Sequence, residues 1–170
     1  MQTPGYAPVR SNRTQRSLAD SHINRSGLSR GTIAPPFRLP LLSNGEISLD
    51  SFREQRLMLV FSDPECHPCR KLLPELEALH RRTPDIQILM ISRGSIESIK
   101  REFATQPVSF KVAAQKSWEI SKQYAMFMTP IAYLIGKEGC IESDVAIGSK
   151  AILTLLAGAQ IVELLSAVPD

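Results

Sequence analysis

The apolar residues fall into blocks that alternate between strand-like runs and helical stripes. Leu57 to Phe61 is a continuous apolar run, the pattern of a strand buried on both faces of a parallel sheet. Positions 72, 73, 76 and 79 then repeat at the spacing of one helix face, and His80, Arg81 and Arg82 place favourable charge in its last turn. Ile86 to Ile91 reads as a second buried strand. Ser95 caps a helix striped by Ile96, Ile99 and Phe103, and Val108 to Val112 is a third, shorter strand. Gln115 to Tyr124 predicts a further helix. Ile131 to Ile135, the turn Gly136-Lys137-Glu138-Gly139 and Cys140 to Ile147 predict an antiparallel hairpin. Ile152, Leu155, Leu156, Ala159 and Val162 stripe a closing helix. Upstream, Pro35 to Leu39 is extended and Asn44-Gly45 favours a tight turn returning through Ile47 and Leu49, an N-terminal hairpin. Asp50 or Ser51 then caps a short helix through Arg53 and Gln55. Strands alternating with helices, ending in a hairpin, predict an α/β fold: a mixed central sheet covered by helices.

A chain of 170 residues holds one ordinary domain. Residues 1 to 30 carry five arginines against one acid, Asp20, whereas residues 31–170 are nearly balanced, so the net charge of +3 resides in the first thirty residues. That segment has few aliphatic residues and is expected to be a disordered basic, Ser/Arg-rich tail before a domain over 31–170. A charge that sits in a tail argues against a nucleic-acid-binding face on the domain. The longest apolar stretch, Ala151 to Leu165, is broken by Gln160 and Glu163, so no membrane span is expected. The first residues lack the apolar core of a secretory signal. On this start site the expected address is cytoplasmic; membrane association or export is the alternative if the true N-terminus differs.

Of three cysteines, Cys66 and Cys69 stand at CxxC spacing where a buried strand turns into a helix. The first turn of a helix offers unpaired N–H groups and the positive end of its dipole, which stabilise a thiolate at Cys66 and make it the attacking sulfur. Cys69, one turn inside, is shielded and resolves the mixed disulfide. His67 and Pro68 between them tune this balance, because a protonated His67 favours the thiolate and Pro68 suits a first helical turn. Asp63 and Glu65 just upstream oppose it by like charge. The other reading of a CxxC, half of a zinc site, needs two more ligands. His80 lies about 16 Å along the helix axis from Cys69, too far to join. No metal ligand set is assigned.

These residues resemble the thioredoxin superfamily over roughly residues 31 to 165, through Ala34-Pro35-Pro36-Phe37, Phe61-Ser62-Asp63-Pro64-Glu65-Cys66-His67-Pro68-Cys69, Pro74, and Thr129-Pro130 before a strand. The entry and core motifs resemble the redoxin branch: AhpC/TSA-type redoxin domains, the disulfide reductases of cytochrome maturation and MauD-like proteins. The resemblance implies a thioredoxin-like three-layer fold with helices on both faces of the sheet. It also implies a cis Pro130, with Thr129 presenting its backbone to an extended substrate segment, and a helix kinked at Pro74. The chain departs from thioredoxin itself in two places. Glu65 replaces a tryptophan, and Val60 replaces the buried acid that would take a proton from Cys69, leaving water, Glu65 or His67 for that step. Asp63, where peroxiredoxins carry a threonine, disfavours peroxide chemistry.

The expected activity is therefore thiol-disulfide exchange by Cys66 and Cys69, with Thr129 and Pro130 binding substrate, Glu65, His67 and Pro68 tuning, and no bound cofactor. Its partners are a disulfide-containing or dithiol protein and an upstream electron donor, with the chain acting as a monomer. A copper-binding or assembly chaperone using the two thiolates and His67 is the alternative. Cys140 is expected to be a small buried or edge residue, and Trp118 to pack one face of its helix.

Overall fold

Seven consecutive residues, Arg56–Ser62, form a strand buried along its whole length, and the rest of the molecule is arranged around it. The computed structural model describes residues 27–167. In chain order the elements are β1 (Arg38–Pro40), β2 (Glu46–Ser48), β3 (Arg56–Ser62), α1 (His67–His80), β4 (Ile86–Arg93), α2 (Ile96–Thr105), β5 (Lys111–Gln115), α3 (Glu119–Gln123), β6 (Ile131–Ile135), β7 (Ala146–Ile147) and α4 (Ser149–Ser166). The main sheet has the order β5-β4-β3-β6-β7. β3, β4 and β5 run parallel, β6 pairs antiparallel with β3, and β7 antiparallel with β6. The fold is α/β with a mixed central sheet.

Alternation along the strands sorts the core into two layers. Met58, Val60, Ile88, Met90 and Leu134 face Leu72 and Leu76 of α1, Ile99 and Phe103 of α2, and Ile152 and Leu156 of α4. Leu57, Leu59, Phe61, Ile91 and Tyr133 face the β1–β2 hairpin through Phe37, Leu39 and Ile47, and α3 through Ile120 and Tyr124. Helices thus cover both faces, with α1, α2 and α4 on one and α3 with the hairpin on the other. The β1–β2 turn uses Asn44 and Gly45, both at positive φ, as an Asn-Gly turn requires.

Several elements depart from the sequence expectation. The helix expected to be capped by Asp50 or Ser51 is a single 3-10 turn, Leu49–Phe52, preceded by Ser48. The third main-sheet strand lies at 111–115 rather than 108–112, because Phe110, Val112 and Ala114 are the residues that reach the α-helical layer. The helix expected over 115–124 shrinks to 119–123. Gln115 belongs to β5, and its buried side-chain oxygen instead accepts the N–H groups of Ile120 and Ser121 at the start of α3. The return strand expected over 140–147 is regular only at Ala146–Ile147. Cys140 and Ile141 make isolated bridges, with Ile33 and Ile135 respectively.

The expected basic tail lies, up to residue 26, outside the described residues. Residues 27–30, also assigned to it, pack on the domain. The Leu28 N–H donates to the Tyr133 hydroxyl at 3.0 Å, and Arg30 pairs with Asp144 at 3.2 Å. Gly27 sits so close to the Tyr133 ring that a Cβ there would fall 2.0 Å from its hydroxyl oxygen. The Tyr133 hydroxyl in turn donates to the Tyr124 carbonyl, and that of Tyr124 to the Pro35 carbonyl, which laces the entry segment to the core. By length and composition α4 qualifies as an apolar helix able to cross a membrane, which the interruptions at Gln160 and Glu163 did not suggest. Ile152, Leu156 and Ala159 nonetheless lie in the core, whereas Ile161, Val162, Leu164 and Leu165 are exposed.

Candidate exchange site

The carboxyl ends of β3, β4 and β5 lie at one edge of the sheet, where loops gather chemistry in folds of this kind. After Ser62 the chain turns through Asp63-Pro64-Glu65 and enters α1. The Cys66 N–H donates to the Asp63 carbonyl at 3.0 Å, and the Glu65 N–H to Asp63 Oδ1 at 2.9 Å, so Asp63 shapes the loop with both its backbone and its side chain. Cys66 is the N-cap of α1, its Sγ receiving the Cys69 N–H at 3.3 Å, and Pro68 occupies the first turn. The helix continues through Pro74 to His80.

Cys66 and Cys69 are joined as a disulfide with their Cα atoms 5.2 Å apart. The two sulfurs are not equivalent. Cys69 is fully buried, whereas Cys66 is partly exposed. Glu65, His67 and Pro68 are exposed on the rim. Val60 is fully buried among apolar neighbours, and no acid replaces it within β3.

Antiparallel pairing sets Ile131 of β6 opposite Phe61 of β3, which brings Thr129-Pro130 to the same end of the sheet as the cysteine loop. The Thr129–Pro130 peptide is cis, with Pro130 buried and Thr129 partly exposed. The start of α4 ties the two segments together. The Gly148 N–H donates to the Pro130 carbonyl at 2.9 Å, and the Ser149 hydroxyl donates to the Pro68 carbonyl at 3.3 Å.

Other side chains at this edge were not singled out by the sequence. Arg93, the last residue of β4, holds Asp63 Oδ2 through Nε at 2.7 Å and through Nη2. Its guanidinium carbon lies 4.6 Å from the centre of the Trp118 ring. Trp118 therefore does not pack a helix face: it is the N-cap of α3, and its ring meets Phe127 edge-on at 6.1 Å. Glu102 of α2 has both carboxyl oxygens shut off from solvent with no hydrogen-bond partner. Burial pushes this carboxyl up from its ordinary 4.5; the Arg70 guanidinium opposes that shift and the Asp63 carboxylate adds to it. The one clue to Arg93 in the sequence is a charged residue two positions after the apolar run Ile86 to Ile91. Cys140 is a free, partly buried thiol beyond the opposite end of β6. Among the described residues no three His, Cys, Asp or Glu side chains converge as a metal-ion ligand set.

A dithiol–disulfide pair with one accessible sulfur at a helix N-terminus can exchange disulfides without a further group. Comparison with known proteins agrees. The AhpC/TSA family matches residues 30–143. The thioredoxin-like protein YneN of Bacillus subtilis is 28% identical over 128 residues, covering 72% of this chain and 74% of that protein. The thiol-disulfide oxidoreductase ResA of Bacillus thuringiensis is 27% identical over 118 residues, covering 68% of each. Among solved structures, the thioredoxin domain of a thiol-disulfide oxidoreductase from Bacteroides vulgatus superposes with a TM-score of 0.70 at 20% identity, covering 78% of this chain and 98% of that one.

Proposed function

Because the chain belongs to the AhpC/TSA family and is a thiol-disulfide oxidoreductase of thioredoxin-like fold, we propose that Cys66 is its attacking sulfur and Cys69 its resolving one. The observation that carries this assignment is the difference in exposure: only Cys66 can be reached from solvent. In the reduced protein the Cys66 thiolate attacks one sulfur of a partner disulfide. The partner's second sulfur leaves as a thiolate and takes a proton from solvent. Cys69 then gives up its proton and attacks Cys66 Sγ, releasing the partner as a dithiol and closing the Cys66–Cys69 bond. Two electrons pass to the partner, and an upstream dithiol donor restores them.

With Val60 in place of an acid, the Cys69 proton leaves through water or through Glu65 or His67 at the rim. Thr129 and Pro130 bind an extended stretch of the partner protein beside Cys66. This role is supported by their position at the mouth of the site, fastened through Gly148. The chain acts as a monomer.

Insulin reduction tests the assignment. Cys66→Ser is expected to lower turnover by about 10³-fold or more, while Cys69→Ser accumulates a stoichiometric mixed disulfide. Full activity in Cys66→Ser would refute it. Copper retained on the purified protein without dithiol turnover would make the two sulfurs metal ligands instead.

A further inference from the structure

The two halves of the exchange site come from segments about sixty residues apart, the loop 63–66 after β3 and the segment 126–130 before β6. Arg93 bridges them, directly on one side and through an aromatic pair on the other. On the first side it holds Asp63, the residue that accepts both the Cys66 and the Glu65 N–H groups. On the second it lies over Trp118, whose ring meets Phe127. Phe127 and the adjacent Met128 are 52% and 43% exposed and lead directly into Thr129-Pro130.

We propose that Arg93 is a positioning residue that couples the seating of an apolar, extended polypeptide on Trp118, Phe127 and Met128 to the reactivity of Cys66. The proposal rests on Cys66 being the attacking sulfur. Its physical basis is one guanidinium held by two partners at once, Asp63 and the Trp118 ring. Asp63 stands three residues before Cys66, and an unneutralised carboxylate there disfavours a thiolate. The cation bound to it removes that penalty. A cation over an aromatic face is held more strongly when water is excluded. A partner segment covering the Trp118–Phe127 pair dries the stack, fixes the guanidinium, and thereby keeps Asp63 neutralised at the moment of attack. A small disulfide that does not cover the pair gains nothing from it. The exposed surface is aromatic and thioether in character, so it suits apolar residues flanking the partner's cystine rather than charged ones.

A double-mutant cycle on the full chain, read with two substrates, tests this. The substrates are insulin, which presents polypeptide around its disulfides, and hydroxyethyl disulfide, which does not. The rate at which iodoacetamide alkylates Cys66 in the reduced protein, followed by mass spectrometry, reports the thiolate directly. Arg93→Gln is expected to slow alkylation and hydroxyethyl disulfide reduction by about tenfold, the consequence of one unpaired neighbouring charge. It should lower kcat/KM for insulin by about a hundredfold, both contributions being lost. Trp118→Leu should lower insulin turnover by about tenfold while slowing alkylation and small-substrate reduction by no more than about twofold. The double variant should lose no more on insulin than Arg93→Gln alone, because residues acting as one unit are not additive.

Arg93→Lys keeps the charge without the planar stack; it should restore alkylation but not the insulin advantage, and it serves should Arg93→Gln fold poorly. Additive losses on insulin, or equal losses on the two substrates in Arg93→Gln, would overturn the coupling. If Cys66→Ser still turns over insulin, the assignment of the attacking sulfur falls instead. If it is inactive and the cycle is additive, only the role of Arg93 falls.

Discussion

The two ends of β3 carry the same pair of chemical groups, an arginine and a carboxylate, and put them to opposite uses. At its first residue, Arg56 is nearly buried and fully engaged. It donates to Glu142 at 3.0 Å, to Glu163 at 3.3 Å and to the Ala159 carbonyl at 2.9 Å, with Lys137 supporting Glu163 from outside. These contacts pin the far part of α4 to the sheet and use every nitrogen of the guanidinium. Just past its last residue, Asp63 meets Arg93, whose side chain is 34% exposed. The other face of that guanidinium rests on a ring rather than on a second carboxylate. Exposed Phe127 meets that ring, and the carboxyl oxygens of nearby Glu102 are shut off from solvent with no hydrogen-bond partner. One end has its polar groups satisfied and closed. The other leaves them incompletely satisfied, as functional sites commonly do.

Breaking the closed end should have the largest effect on stability. Arg56→Met leaves the Glu142 carboxylate and the Ala159 carbonyl without this donor and Glu163 with Lys137 alone, and a loss of about 3 kcal/mol is expected in urea unfolding, with alkylation of Cys66 unchanged in the protein that remains folded. A loss below about 0.5 kcal/mol would show that this end is no more fixed than an ordinary surface pair.

The open end should respond in the opposite direction. Because burial raises the Glu102 carboxyl in the folded chain above its ordinary 4.5, the folded state favours the protonated form. Ionisation therefore destabilises the fold, and this part of the stability falls as pH rises from about 4.5 through the raised value. Glu102→Gln removes that slope and should stabilise the protein at neutral pH by about 1 kcal/mol. Urea midpoints across pH 4 to 8 measure it, and a neutral-pH loss of stability would mean that the carboxylate is well solvated or paired. The smallest effect belongs to a pair outside both ends. Asp144→Ala removes the exposed bridge to Arg30 and should change stability by less than about 0.5 kcal/mol, a difference that high salt erases.

Much of the fold was legible from periodicity. Buried strands such as Leu57–Phe61 have no polar face, and the stripes at 72, 73, 76 and at 96, 99, 103 admit only a helix with one buried side. What failed locally was decided by partners distant in sequence. Gln115 reads as a helix opener, yet its side chain caps α3 from the preceding strand. Leu28 lies in a polar, arginine-rich stretch, yet the Tyr133 hydroxyl binds its N–H and draws the chain onto the core.

For the site the division is equally clear. Sequence alone determined the reacting pair, because two cysteines three apart at a strand-to-helix junction necessarily share the first helical turn, where a thiolate is stabilised. Tertiary structure alone decided which surface surrounds them. Arg93, Trp118 and Phe127 have no mutual spacing that a periodic pattern could reveal. They meet because parallel strands deliver their carboxyl ends to one edge of the sheet, and β6 returns antiparallel to bring Thr129-Pro130 to the same edge. Local chemistry follows from neighbours in the chain; the pairing of side chains thirty residues apart follows from the order and direction of strands in the sheet.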